Sequence, residues 1–103
     1  MNETTLRRLI VEIFRLAYVR RLVDLLGGNV SARLSNDEVL ITPTSMPKVL
    51  IRPQSIVKIK LDGTVVSGGN PSSEWRMHVG IYRVRNDVKF ILHTHPPNIL
   101  ALT

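Results

Sequence analysis

His93 and His95 stand one residue apart at the end of the apolar run "VKFIL", and Pro96 and Pro97 follow at once. Residues two apart on a strand share a face, so the two imidazoles aim the same way and their nitrogens can meet on one ion. The prolines cannot donate to a ladder and turn the backbone aside, which leaves the pair at a mouth that a ligand can reach. There is no cysteine, so a metal must be held by nitrogen and oxygen. Two loop histidines without a ligand would be written with the same letters.

A second cluster is "NPSSEWRMH", Asn70 to His78. Ser72 or Ser73 suits an N-cap, and Glu74 then falls in the first helical turn, where the helix dipole favours its anionic form. Ordinary helix grammar accounts for those letters. The preceding Gly68, Gly69 and Pro71, with two hydroxyls and the open N–H groups of a helix start, also describe an anion site. His78, four residues beyond Glu74, is expected to pack or to hydrogen-bond to that carboxylate rather than to bind metal. "GGNVS" (Gly28, Asn29) and "TPTS" (Thr44) are further phosphate cradles in form: glycine lets backbone N–H groups approach oxygen, and Asn, Ser and Thr add neutral donors.

Elements must bring these pieces together. Leu6, Leu9, Ile10, Ile13, Phe14 and Ala17 recur at helical spacing, which predicts a helix over about residues 4 to 25, capped by Asn2 or Thr4 and closed by Gly27 and Gly28. Val30, Ala32 and Leu34 alternate with Ser31, Arg33 and Ser35 as in a half-buried strand, and a turn at Asn36-Asp37 leads to a second strand, "EVLIT". "IRPQS" reads as a helical turn, and "IVKIKLDGTVV" as two strands about Asp62-Gly63. A helix is predicted from about Ser73, with Trp75, Val79 and Tyr82 near one face, and "VKFILHT" is the last strand. Pro96 and Pro97 suit the first turn of a further helix, for which Ile99, Leu100 and Leu102 begin an apolar pattern.

The 103 residues, 44% of them hydrophobic, suffice for one modest core, so one domain over residues 1 to 103 is expected. The N-terminus has no basic start followed by a long apolar run, and no stretch approaches a membrane span, which leads to the expectation of a soluble cytoplasmic protein. The net charge of +6 fits an ordinary basic solvated surface and also suits a phosphorylated small molecule. Nucleic acid and membrane surfaces are not expected partners, because the basic residues are scattered and few aromatics are available for stacking.

Taken in order, "GGNVSARL", "LITPTSMP", "PSSEWRMHVGIY" and "ILHTHPP" resemble the successive motifs of the class II aldolase/adducin family, in its L-fuculose-1-phosphate aldolase branch. The resemblance implies a three-layer α/β/α domain around a largely antiparallel sheet. It implies Glu74 as catalytic acid/base, able also to sit on the metal, and His93 and His95 as zinc ligands. Gly28, Asn29, Thr44, Ser72 and Ser73 would lie around the substrate phosphate. The implied reaction is reversible cleavage of a ketose 1-phosphate to dihydroxyacetone phosphate and an aldehyde, in a homotetramer. Family members are about twice as long, so the chain reads as the N-terminal half, with a third histidine ligand and a tyrosine in the remainder. Ser45 stands where the family usually has glycine, and Glu74 where the epimerase branch typically has aspartate. Two other readings share these letters: an adducin-like interaction module and a truncated, inactive fragment.

Overall fold

The computed structural model describes residues 1–94 and 98–102. Helix α1, Glu3–Val19, begins where the Asn2 side chain accepts the Thr5 N–H at 2.8 Å, satisfying one of the open donors of the first turn. Its apolar residues Leu6, Ile10, Val11, Phe14 and Ala17 are buried on one side. The helix stops well short of Gly27. Arg21 takes a left-handed φ of 61°, the Arg21 N–H donates to the Tyr18 carbonyl, and the Leu22 N–H donates to the Ala17 carbonyl at 2.8 Å. This is a Schellman closure built without the usual glycine, so the sequence carries no obvious stop signal there. The early stop lets the chain fold back and bury Val23.

The strands are β1 (Asn29–Arg33), β2 (Glu38–Ile41), β3 (Val57–Lys60), β4 (Val65–Ser67), β5 (Phe90–Thr94) and β6 (Asn98–Leu102), with helix α2 (Trp75–Val84) between β4 and β5. Two 3-10 turns, Lys48–Leu50 and Pro53–Ser55, fill the connection from β2 to β3. The sheet order is β4-β3-β2-β1-β5-β6, and each neighbouring pair is antiparallel. Side-chain alternation divides the core in two. Val30, Ala32 and Leu40 pack with α1, while Val39, Ile41, Val57, Ile59 and Ile91 pack with Val79 and Tyr82 of α2. Helices on opposite faces make three layers, as the resemblance implies. Because α2 covers the second face, β1 is buried on both sides and not half-buried as its alternation suggested.

Residues 98 to 102 form a strand and not the start of a helix. Thr94 faces Asn98 and Phe90 faces Leu102 across the β5–β6 pair. The ladder of β5 on the side away from β1 offers them backbone hydrogen bonds. Pro96 and Pro97 lie outside the described residues. Helix α2 starts two residues later than expected, with Glu74 at the cap position. Ser72 is held beside the end of β2, its N–H donating to the Thr42 carbonyl at 2.9 Å, and its Oγ accepts the Glu74 N–H at 3.2 Å. That anchoring keeps Ser72 and Ser73 in a turn ahead of the helix. No described helix is long and apolar enough to cross a membrane.

Candidate functional site

At one end of the sheet four chain segments converge on a cavity of about 190 Å³, lined by Leu26 to Asn29, Pro43 to Ser45, Ser72 to Glu74, and His93. The β1–β5 register supplies one wall by placing Asn29 directly opposite His93. The opposite wall is drawn in by the bridge between Pro43 and Pro71 and by the Thr44 N–H, which donates to the Asn70 carbonyl at 3.1 Å. Gly28, Asn29, Thr44, Ser72, Ser73, Glu74 and His93 thus surround one space, though they lie up to 65 positions apart in the chain. His95 lies outside the described residues. A larger concavity, about 640 Å³, sits between Tyr18 and Leu25. It lacks a convergent set of hydroxyls, carboxylate and imidazole, so the smaller cavity is the better chemical site.

Two backbone features shape its floor. Gly28 has a φ of 81°, which favours glycine, and a β-carbon there would meet Val23 and the His93 carbonyl. Lys48, buried, donates from Nζ to the Gly27 carbonyl and lies 4.4 Å from the centre of the Phe14 ring. Burial lowers its pKa, and Asp24 partly opposes that. Nothing in the sequence singled out Lys48, because its partner is a backbone carbonyl 21 positions away. Ser45 lines the cavity with a left-handed φ of 57°, a conformation that costs an ordinary residue about 1 kcal/mol. Ser45→Gly is expected to raise stability by up to about 1 kcal/mol, read as the midpoint shift in urea unfolding. An unchanged or lower midpoint would show that the strain is absent.

Behind Asn29 runs a buried polar chain. The Tyr82 hydroxyl lies 2.8 Å from Ser31 Oγ, which lies 2.6 Å from His78 Nδ1. His78 Nε2 meets Asn29 Oδ1, and Asn29 Nδ2 lies 3.3 Å from His93 Nδ1. His78 therefore bonds to Ser31 and Asn29 and not to Glu74, because the late start of α2 leaves Glu74 at the exposed cap while His78 points into the sheet. Burial, with the nearby His93 as a lesser cause, pushes its pKa down to about 3. Burial also pushes the Tyr82 hydroxyl up, keeping it protonated. The alternation of β1 predicts a solvent-facing Ser31, whereas packing of α2 on that face buries it. The available signal was the four-residue spacing of His78 and Tyr82 on an otherwise apolar helix face, which calls for a polar partner.

The chemistry of this cavity is that of hydroxyls and an amide beside a carboxylate and an imidazole. Glu74 and His93 are oxygen and nitrogen donors of the kind that suit zinc. Among the described residues no group of three His, Asp, Glu or Cys side chains comes together.

A sequence model of the class II aldolase and adducin N-terminal domain matches residues 8–103. The chain belongs to that family. The family resemblance read in the motifs is thereby established over nearly the whole chain. A relative from Methanocaldococcus jannaschii, an L-fuculose phosphate aldolase, is 40% identical over 85 residues, covering 82% of this chain and 46% of its own length. A 3-oxo-tetronate 4-phosphate decarboxylase from Cupriavidus necator is 37% identical over 102 residues, 99% of this chain and 46% of the relative. A methylthioribulose-1-phosphate dehydratase from Alcanivorax borkumensis is 35% identical over 77 residues, 75% of this chain and 36% of the relative. Among solved structures, an L-fuculose 1-phosphate aldolase superposes with a TM-score of 0.82 at 30% identity, over 88% of this chain and 44% of the other. An aldolase II superfamily protein from Pseudomonas syringae gives 0.82 at 28% identity, over 91% and 40%. The chain spans 36 to 46% of the length of these relatives. The family thus holds aldolases, a dehydratase and a decarboxylase on one fold.

Proposed function

We propose that this family member carries the substrate- and metal-binding part of a zinc-dependent sugar-phosphate aldolase. The reaction is reversible cleavage of a ketose 1-phosphate to dihydroxyacetone phosphate and an aldehyde. The observation that supports it is the meeting of Gly28, Asn29, Thr44, Ser72, Ser73, Glu74 and His93 around one cavity. The phosphate end belongs to Gly28, Asn29, Thr44, Ser72 and Ser73, whose hydroxyls and amide, with those loop N–H groups not already spent on neighbouring carbonyls, would hold an anion without a buried countercharge. The net charge of +6 favours the approach of such a substrate.

Glu74, His93 and His95 are the proposed metal-binding set, nitrogen and oxygen donors with a position left for substrate. Zinc, when bound, supplies Lewis-acid stabilisation of the negative charge that carbon–carbon cleavage leaves beside the carbonyl. Glu74 moves the proton at the reacting carbon, a role for which its exposed place at the cavity edge gives it access. Phosphate binding holds the substrate so that this carbon lies within reach of the carboxylate. Glutamate in place of aspartate favours the aldolase over the epimerase reading. The assembly we propose is a homotetramer in the cytoplasm.

Calorimetric titration of the metal-free chain with Zn2+ tests this. One-to-one binding is expected, and His93→Ala should weaken it by more than the 10- to 100-fold that loss of an outer partner costs. Release of dihydroxyacetone phosphate from ketose 1-phosphates should fall about 10²- to 10⁴-fold in Glu74→Gln. A folded chain that binds no Zn2+ would overturn the metal site.

A further inference from the structure

We propose that His78, acting through Asn29, is a positioning residue for His93, fixing which ring nitrogen of His93 carries the proton. The argument is an inventory of donors and acceptors. Asn29 Oδ1 can only accept, so His78 Nε2 carries its proton toward it, and His78 Nδ1 accepts from Ser31. Asn29 Nδ2 can only donate, so His93 Nδ1 accepts and the His93 proton sits on Nε2. The whole chain thus has one polarity. His78 and Ser31 are fully buried and Asn29 is only 4% exposed, so water does not easily replace a broken link.

A metal at His93 requires the opposite polarity, and this part of the inference rests on the metal site proposed above. Nδ1 faces Asn29, so the metal takes Nε2, and the ring proton must move to Nδ1 and find an acceptor there. Asn29 then turns its amide over to present Oδ1 to His93 and Nδ2 to His78. His78 Nε2 must now accept, so its own proton passes to Nδ1 and points at Ser31 Oγ. Each imidazole keeps one proton throughout, and only the nitrogen that carries it changes. Metal binding at the cavity is therefore felt at a buried imidazole that never touches the metal.

Two-bond nitrogen–proton correlation spectra of the 15N-labelled 103-residue chain read both tautomers directly. Without metal, His78 and His93 are expected as Nε2–H; with saturating Zn2+ both become Nδ1–H. Asn29→Asp nearly preserves shape but offers only acceptors, so both rings donate to it. His93 then becomes Nδ1–H without metal while His78 stays Nε2–H. His78→Leu is expected to average the His93 tautomers and weaken Zn2+ association about 10- to 100-fold. Zn2+ bound at His93 with the His78 tautomer unchanged overturns the relay. So does a His93 tautomer that is the same in the wild type and Asn29→Asp. Zn2+ that leaves every histidine signal unmoved overturns the metal site instead, and the metal-free comparison of wild type with Asn29→Asp still decides the relay.

Discussion

Between about pH 6.5 and pH 4.5 the wild-type chain is expected to lose about 2 to 3 kcal/mol of folding free energy through His78 alone. The His78 pKa is about 3 in the folded chain against an ordinary 6.5, first because the ring is buried and second because His93 is near. Above pH 6.5 the imidazole is neutral in both states and the difference costs nothing. Below it the unfolded chain binds a proton that the folded chain refuses, so stability falls by about 1.4 kcal/mol per pH unit until the pH nears the folded value. Carboxylates held below their ordinary values, Glu3 by Lys58 and Asp87 by Arg85, begin to lose their contributions only near the acid end of that window. The chosen window therefore reports the imidazole. Urea unfolding at half-unit pH steps, beside His78→Gln, measures it; a wild-type slope no steeper than that of the variant would show that His78 is not buried as a neutral ring.

Gly28→Ala should destabilise the fold by about 2 to 4 kcal/mol, from a left-handed backbone penalty together with overpacking. An added β-carbon at position 28 would sit 2.8 Å from Val23 Cβ and 3.1 Å from the His93 carbonyl oxygen. The first is shorter than carbon tolerates, and the second is tighter than ordinary packing. Val23 is buried beneath α1 and cannot swing away, and the His93 carbonyl belongs to the sheet. The loop after α1 would have to lift, opening the cavity wall that Leu26 to Asn29 provide. A loss of that size is a large part of what a domain of this length has to spare. The same variant is therefore expected to bind inorganic phosphate or Zn2+ more weakly than wild type at a temperature where both are folded. A loss below about 1 kcal/mol would mean that the loop does not rest on β5.

Local grammar was read correctly where neighbours in the chain carry the physics. The helical period of Leu6, Ile10, Phe14 and Ala17 gave α1, Asn2 gave its cap, and the turns at Asn36-Asp37 and Asp62-Gly63 gave their hairpins. Three readings failed because a distant segment made the decision. The end of α1 lies at Val19 because closing there lets Val23 reach the core, not because of any glycine. Residues 98 to 102 lie along β5 because an open ladder stood waiting for them. Ser31 is interior because α2 packs on the face that alternation alone assigned to water.

The candidate site divides along the same line. Motif order was enough to place the chain in its family and, through that resemblance, to mark Gly28, Asn29, Thr44, Ser72, Ser73, Glu74, His93 and His95 as candidates; all but His95, which lies outside the described residues, line one cavity. The buried partners of those residues were not legible. That Asn29 bridges His78 and His93, and that Lys48 pins Gly27, depends on strand register and on which face α2 covers. Register and face are settled by burying two hydrophobic clusters at once, a property of the whole chain that no single stretch contains.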